Sequence, residues 1–257
     1  MKESILVLDV GNSNIAIGVY QGTKLCHHWR VATDRKRTGD ELGMLLGSLF
    51  ADEGFDKGIL EGVVLSSVVP PAISAVEYMC ARYLKRTPLI VGPGIRTGLV
   101  IKYENPRDVG ADRIANAVAA IEQYGAPVII VDLGTATTFT VIDEKANYLG
   151  GVIAPGIQIS TDALFQRADK LPRIELTKPG RVVGKNTVSS MQSGVYYGFA
   201  GLVDGIINKI SDEWNLPFRV IATGGMAGYV AAESSLIQDI SPHLTLEGLR
   251  ILWERNR

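Results

Sequence analysis

Apolar positions along the chain alternate between two rhythms. Unbroken runs of Val, Ile and Leu predict buried strands at 5–9 and 15–20, separated by a turn at 11–13. Gly22 marks a second turn, and 24–33 reads as a third strand. Helical spacing predicts helices over 40–51 and 71–84, with buried strands at 63–67 and 89–91 among them. Gly110 opens an alanine-rich helix that stops at Gly125. The order then restarts with a strand at 128–132, a turn at 134–136 and strands at 138–143 and 148–154. A long helix is expected over 189–210, where Val195, Phe199, Leu202, Val203, Ile206 and Ile210 lie near one face. A short strand at 220–222, a short helix at 225–232 and a closing helix at 246–253 complete the pattern.

The restart is a repeat. LDVGNSNIAIGVY begins at Leu8 and VDLGTATTFTVI at Val131, so Asp9 aligns with Asp132 and Gly11 with Gly134, about half the chain apart. Each copy is an apolar strand ending in Asp-x-Gly, a turn of small hydroxyl or amide residues, and a second strand. Short Asp-Gly turns recur by chance, but here the neighbouring elements repeat as well. The expectation is an α/β protein of two similar domains, 1–122 and 123–257, facing each other across a cleft.

Composition narrows the function. Of 257 residues, 26 Lys and Arg face 27 Asp and Glu, a net charge of −1 that gives nucleic acid or an anionic membrane no bulk electrostatic handle. Neither is expected as a partner. A hydrophobic share of 46% excludes intrinsic disorder. Cys26 and Cys80 are too few for a disulfide framework and point to a reducing compartment. With His27, His28 and His243 they assemble no zinc spacing. Glu3 and Asp9 interrupt any signal-peptide stretch, and no apolar run nears the roughly 18 residues of a membrane span. A soluble, cytoplasmic protein is expected.

The two turns carry the candidate chemistry. Gly, Asn, Ser and Thr expose backbone N–H groups in a concavity suited to phosphate oxygens. A strand-end Asp beside it is a hard carboxylate, and Mg²⁺ takes one or two carboxylates with water and phosphate oxygens. Asp9 with Gly11, Asn12, Ser13 and Asn14 therefore reads as a phosphate and metal site, and Asp132 with Gly134, Thr135, Ala136 and Thr137 as its partner across the cleft. Either turn alone reads better as a capped hairpin with Asp as a local acceptor; two at matched positions favour phosphate. The familiar phosphate motifs fail. GRVVGKN at 180–186 is one residue short of a Walker A loop and has Asn186 where a metal-ligating hydroxyl belongs. GPGIRTG at 92–98 has the wrong final spacing for a dinucleotide fingerprint and is followed by a strand-like segment. The first reads as a surface loop, the second as a turn.

The paired Asp-x-Gly hairpins resemble those of the actin, Hsp70 and hexokinase superfamily. LDVGNSN, SSVVPP, GPGIRTG, YENPRDVGADRIAN, VDLGTATT, GGVIAPGI, LPRIEL, VVGKNT, MQSG and ATGG follow one another over almost the whole chain. Together they resemble the type III pantothenate kinases, which open coenzyme A biosynthesis. The resemblance implies two duplicated ribonuclease-H-like (actin-like ATPase) domains with mixed sheets, and transfer of the ATP γ-phosphoryl group to the primary hydroxyl of pantothenate. It places the catalytic carboxylate at Asp112 and substrate contacts at Gly110, Ala111, Asp112, Arg113, Tyr103 and Thr187. ATP would lie along Asp9, Val10, Gly11, Asn12, Ser13, Asn14, Ile15 and Ala16, with Mg²⁺ at Asp9, and would meet Thr135. Asp132 is assigned by the resemblance to a monovalent cation, K⁺ or NH₄⁺; the residues alone fit a second Mg²⁺ contact equally. A homodimer is implied too.

Each of these residues has a plainer reading. Asp112 is a residue type favoured at a helix start, Thr187 a candidate N-cap, and Tyr103 an aromatic anchor for its loop. ATGG at 222–225 lines an adenosine pocket or is only a tight strand–helix turn. His27, His28 and Trp29 fall on the third strand, one face of which reads as core, and are not expected to be catalytic; 34–37 reads as a solvated loop whose arginines are long enough to reach ATP. A sugar or acetate kinase of the same superfamily and a nucleotide-binding regulator are the competing functions.

Overall fold

Each repeated hairpin forms the middle of its own sheet in the computed structural model, which describes residues 4–257. In the first sheet, β1 (Ser4–Val10), β2 (Asn14–Gln21) and β3 (Lys24–Ala32) run as an antiparallel meander. The chain then crosses over, so that β4 (Leu60–Ser67) lies parallel to β1 and β5 (Leu89–Ile90) parallel to β4. The second sheet takes in β6 (Val100–Ile101), β7 (Val128–Leu133), β8 (Ala136–Ile142), β9 (Asn147–Pro155), β10 (Arg219–Thr223) and β11 (Asp239–Ile240). The spatial orders are β3-β2-β1-β4-β5 and β11-β10-β7-β8-β9-β6. From β7 to β11 the second sheet repeats both the order and the strand directions of the first, and β6 is added parallel to β9. The duplication expected from the two Asp-x-Gly hairpins is thus present in the topology.

Helices cover the sheets because parallel crossovers place them there. In β1 every residue except Asp9 is buried, as befits a strand covered on both faces. α1 (Gly39–Asp52) opens with a capping box in which the Glu41 N–H donates to the Thr38 hydroxyl and the Thr38 N–H to the Glu41 carboxylate. α2 (Pro70–Met79) starts on proline, where the missing N–H costs nothing. It does not run on to residue 84 as an α-helix. Cys80–Leu84 form a π-helical turn that ends at Lys85, whose φ of 56° is left-handed. Leu42, Leu46, Phe50, Val76 and Met79 of α1 and α2 join Leu8, Ile15 and Ile17 in one core.

α3 (Ala111–Tyr124) is the alanine-rich helix, followed by α4 (Ile157–Arg167), which the hydrophobic pattern did not reveal. α5 (Thr187–Trp214) buries Val195, Phe199, Val203, Ile207 and Ile210 among Val131, Phe139 and Val220. α6 (Ala227–Ala231) is a single turn and more, and α7 (Leu244–Asn256) closes the chain. α7 packs on the first sheet. A β-carbon on Gly62 of β4 would collide with the Trp253 indole, and one on Gly248 with the Ala115 backbone of α3.

The chain divides into two compact units. The first comprises the chain through Gly98, Glu104–Ala119 and Leu244–Arg257; the second comprises Leu99–Tyr103 and Ala120–His243. The expected division after residue 122 and the compact units therefore differ at three places, 99–103, 120–122 and 244–257. β6 joins the second sheet by pairing with β9, the end of α3 goes with the second unit, and α7 joins the first, where Leu246 lies against Gly18 and Trp253 against Gly62. Among the described residues no helix is long and apolar enough to cross a membrane.

Candidate active site

In the first unit, Asp9 sits one residue before the end of β1, paired with Ala16 of β2 and Ser66 of β4. The pairing ends at Val10 and Ile15, which leaves a four-residue turn, Gly11 to Asn14. The Gly11 N–H donates to the Asn14 carbonyl at 3.0 Å and closes it. Asn12, Ser13 and Asn14 are exposed; Val10 and Ile15 are buried in the core. Anything Val10 and Ile15 offer a nucleotide must therefore come from their backbones. The chain after β3 folds back over the turn. The Thr33 hydroxyl donates to the Gly11 carbonyl at 2.7 Å, the Thr33 N–H to the Ser13 carbonyl at 3.0 Å, and the Arg35 guanidinium to Asn12 Oδ1 at 3.1 Å. The run 34–37 thus follows the sequence reading in its exposure, and Arg35 reaches the turn itself.

The segment that opens α3 lies at the same end of the first sheet. The Val68 N–H, just past β4, donates to the Val10 carbonyl at 3.1 Å. A β-carbon built on Gly110 would lie 3.8 Å from Cγ1 of Val68 and would collide with Oδ1 of Asp112. The absent side chain at Gly110 is what lets the Asp112 carboxylate fold back over the helix start, where Oδ1 accepts the Arg113 N–H at 2.9 Å. Upstream, Asn105 fixes a 3₁₀ turn at Pro106–Asp108 by accepting from the Arg107 N–H and donating to Asp108. Gly110, Ala111, Asp112 and Arg113 are all partly exposed, so the carboxylate faces solvent at a helix N-terminus that attracts anions.

The second unit repeats the turn with one residue fewer. Asp132 pairs with Thr138 of β8 and Thr223 of β10, and the Gly134 N–H donates to the Ala136 carbonyl at 3.1 Å. Two glycines back it. A β-carbon on Gly156, at the start of α4, would overlap the Gly134 and Thr135 carbonyl oxygens. One on Gly224 would lie 2.6 Å from Asp132 Oδ1 and 2.7 Å from the Leu133 carbonyl oxygen. Gly224 has a φ of 91°, so the ATGG segment is a tight turn in direct contact with Asp132. Thr135 is exposed at the crown.

Tyr103 and Thr187 lie in this unit but on different elements. The Tyr103 ring meets the fully buried Tyr148 edge-on, centroids 6.3 Å apart, and lies over Gly150. The β8–β9 hairpin beneath it is held by Asp143, which accepts from the N–H groups of Lys145 and Asn147 and from the Asn147 side chain at 2.8–2.9 Å. Burial of Asp143 opposes ionisation, but these hydrogen bonds and Lys102 outweigh it and hold the carboxyl below its ordinary range. Thr187 is the first residue of α5 and not its N-cap; that place belongs to Asn186, whose Oδ1 accepts the Ser189 N–H at 2.9 Å. Thr187 and Lys185 line an open cavity of about 850 Å³ beside α4 and α5, whose apolar walls include Leu164, Leu171, Met191 and Phe199.

Metal chemistry at these turns is of the sparse kind. Among the described residues no three His, Cys, Asp or Glu side chains assemble into one cluster. An ion at Asp9 would draw its other ligands from phosphate oxygens and water, the donor set Mg²⁺ favours. Asp132, beside the Leu133 carbonyl, offers hard oxygens to a cation.

The same fold occurs in solved structures. A Baf-family protein from Campylobacter jejuni, titled a transcriptional activator, superposes with a TM-score of 0.60 at 17% identity, covering 97% of each chain. The ROK hexokinase from Thermus thermophilus superposes with a TM-score of 0.50 at 15% identity, covering 97% of this chain and 98% of that one. Identities this low speak for the fold alone: two mixed-sheet units of the actin-like ATPase kind. The comparison of sequences goes further and makes the molecule an ATP-dependent kinase. The model of the family described as type III pantothenate kinase matches residues 5–209. The type III pantothenate kinase of Brevibacillus brevis is 58% identical over 253 residues, 98% of this chain and 99% of that one. The chain belongs to the type III pantothenate kinase family.

Proposed function

We propose that this kinase transfers the γ-phosphoryl group of ATP to the primary hydroxyl of pantothenate with Asp112 as the carboxylate that receives and orients that hydroxyl. The observation that supports this most is the placement of Asp112 in the first unit. Its helix start adjoins Val68, and Val68 is hydrogen-bonded to Val10 beside the Asp9 turn. An acid and a phosphate-type turn thus share one end of a single sheet.

Phosphoryl transfer passes through a loose transition state with charge spread over the phosphoryl oxygens, so positioning and charge neutralisation do most of the work. The Gly11–Asn14 backbone would receive phosphate oxygens, and Asp9 would hold a Mg²⁺ whose charge would offset theirs. Asp112 accepts the hydroxyl proton as the O–P bond forms, late in so loose a transition state. Arg113 and the α3 N-terminus offset the negative charge gathered there. In the second unit, Thr135 hydrogen-bonds ATP, the Gly224 segment admits the adenosine ring, and Asp132 holds K⁺ or NH₄⁺. Tyr103 and Thr187 contact pantothenate, and the cavity beside Thr187 combines apolar walls with the Lys185 ammonium, a match for a molecule with a dimethyl group and a carboxylate. Exposed Ile153, Ile159, Val183 and Val188 in the same unit support self-association as a homodimer, to be checked by light scattering. Free Cys26 and Cys80 fit a cytoplasmic setting.

A coupled ADP-release assay with pantothenate, glucose and acetate tests the reading. ADP should appear with pantothenate alone. Asp112→Asn should lower turnover by about 10²–10⁴-fold while MgATP binding stays nearly intact. Near-native turnover in the folded variant would remove Asp112 from the mechanism.

A further inference from the structure

Thr33 lies outside every residue considered so far as a ligand contact, yet it makes two hydrogen bonds to the crown of the Asp9 turn. Its hydroxyl donates to the Gly11 carbonyl at 2.7 Å, and its N–H donates to the Ser13 carbonyl at 3.0 Å. In a planar trans peptide the C=O of one residue and the N–H of the next point in opposite directions. Drawing the Gly11 carbonyl toward Thr33 therefore aims the Asn12 N–H at the opposite side of the turn. The Gly11–Asn12 peptide has glycine on one side, which lowers the cost of rotating it. Without the hydroxyl, that peptide is free to turn its carbonyl outward. A donor face would then become an acceptor face and repel the phosphate oxygens it should bind. The second unit meets the same requirement by other means, since Gly156 packs directly on the Gly134 and Thr135 carbonyls.

We propose that Thr33 is a positioning residue for ATP: its hydroxyl locks the Gly11–Asn12 peptide with its N–H toward the phosphates. The inference rests on the reading that the Asp9 turn binds those phosphates. It assigns Thr33 no contact with the nucleotide and no part in the chemistry at Asp112.

The test compares Thr33→Val, which keeps the shape and loses the hydroxyl, with Thr33→Ser, which keeps the hydroxyl. In the coupled assay Thr33→Val should raise the KM for MgATP about tenfold, as loss of one hydrogen bond allows, and leave the KM for pantothenate within twofold. Thr33→Ser should stay within twofold on both. Direct titration should show MgADP binding weakened in Thr33→Val and AMP binding unchanged, because AMP lacks the β- and γ-phosphates. A purely structural role would lower the unfolding midpoint without this split. If Thr33→Val does not fold, Thr33→Ala replaces it with the same expectations. An unchanged KM for MgATP overturns the proposal, as does an equal loss for AMP or a loss that Ser fails to restore. Asp9→Asn is measured alongside. If Asp9→Asn weakens MgADP and Thr33→Val does not, the inference alone falls. If Asp9→Asn leaves MgADP binding untouched, the turn is not the phosphate site and both fall.

Discussion

Gly110→Ala isolates the geometry of Asp112 from its chemistry. The added methyl would collide with Asp112 Oδ1, while the first atom beyond Asp112, Cγ1 of Val68, is at an ordinary 3.8 Å. Only the carboxylate has to move, and it is the end of a flexible side chain. The carboxylate must leave the Arg113 N–H, from which Oδ1 now accepts at 2.9 Å. The cost to folding is small, because Gly110 is not among the residues with positive φ and the surrounding backbone is undisturbed. Loss of this one partly buried hydrogen bond costs about 1 kcal/mol, and replacing Gly by Ala returns roughly 0.4–1 kcal/mol through the unfolded chain. The unfolding midpoint should therefore hardly change. Turnover is another matter, since a misplacement of about 1 Å in a reacting group costs on the order of 10²-fold in rate. Gly110→Ala should show kcat for pantothenate phosphorylation lowered by about 10²-fold, KM for MgATP within twofold, and urea unfolding within about 1 kcal/mol of the parent. Turnover close to the parent would refute the argument, because Asp112 would then work from a position this geometry excludes. A matching loss of stability would refute it in another way, by showing that the methyl disturbs the fold and not the carboxylate.

Other consequences follow from the second unit. Gly224→Ala must place a side chain at a φ of 91° and press it on Asp132 and the Leu133 carbonyl; strain of about 1–2 kcal/mol and overpacking of about 1–3 kcal/mol should lower stability in urea by roughly 2–5 kcal/mol, and an unchanged midpoint would contradict the packing. Asp143 has its folded pKa lowered, so its stabilisation is complete above the ordinary aspartate value of about 4 and is lost as pH falls through the folded value. Asp143→Asn should destabilise by about 2 kcal/mol at neutral pH and flatten the acid limb of the stability curve below about pH 4; an acid limb identical to the parent's would dismiss the carboxylate. Replacing K⁺ by Na⁺ at constant ionic strength should reduce kcat/KM in the parent and have no further effect in Asp132→Asn; equal activity in both salts would leave Asp132 without a monovalent cation.

How much of this was legible in the sequence depends on where each residue's partners lie. The central strands could be read because they are covered on both faces, which leaves an unbroken apolar run such as SILVLDV. α4 escaped because only Ile157 and Thr161 of IQISTDALFQR are buried, too few to set up a helical period. β6 and β11 are two residues long and exist only by pairing with neighbours distant in the chain. The π-helical turn at Cys80–Leu84 has no period of its own to announce it, and periodicity ran α2 straight through it. Thr187 was a candidate cap by residue type, but the cap lies one residue earlier, at Asn186, whose Oδ1 accepts the Ser189 N–H. Thr33 left no signal, since its hydroxyl bonds to a backbone carbonyl 22 residues away. Side-chain identity says nothing about which carbonyl a threonine will find.

The two turns show how duplication diverges at the level of support before it diverges in sequence pattern. Both keep Asp-x-Gly and close with a glycine N–H, at Gly11 and Gly134. In the first, the carbonyls of the crown are held by a side-chain hydroxyl and a strand-end N–H from Thr33. In the second, they are covered by glycine backbone at Gly156, with no room for a β-carbon. A side-chain brace can be removed by one substitution with little change in volume, whereas a close backbone contact is disturbed by any substitution that adds volume. Mutations around the second turn should therefore register first in stability, as at Gly224, and those around the first in nucleotide affinity, as at Thr33. A repeat that looks symmetrical in its motifs is thus mechanically unequal, and the inequality lies in residues outside the motifs.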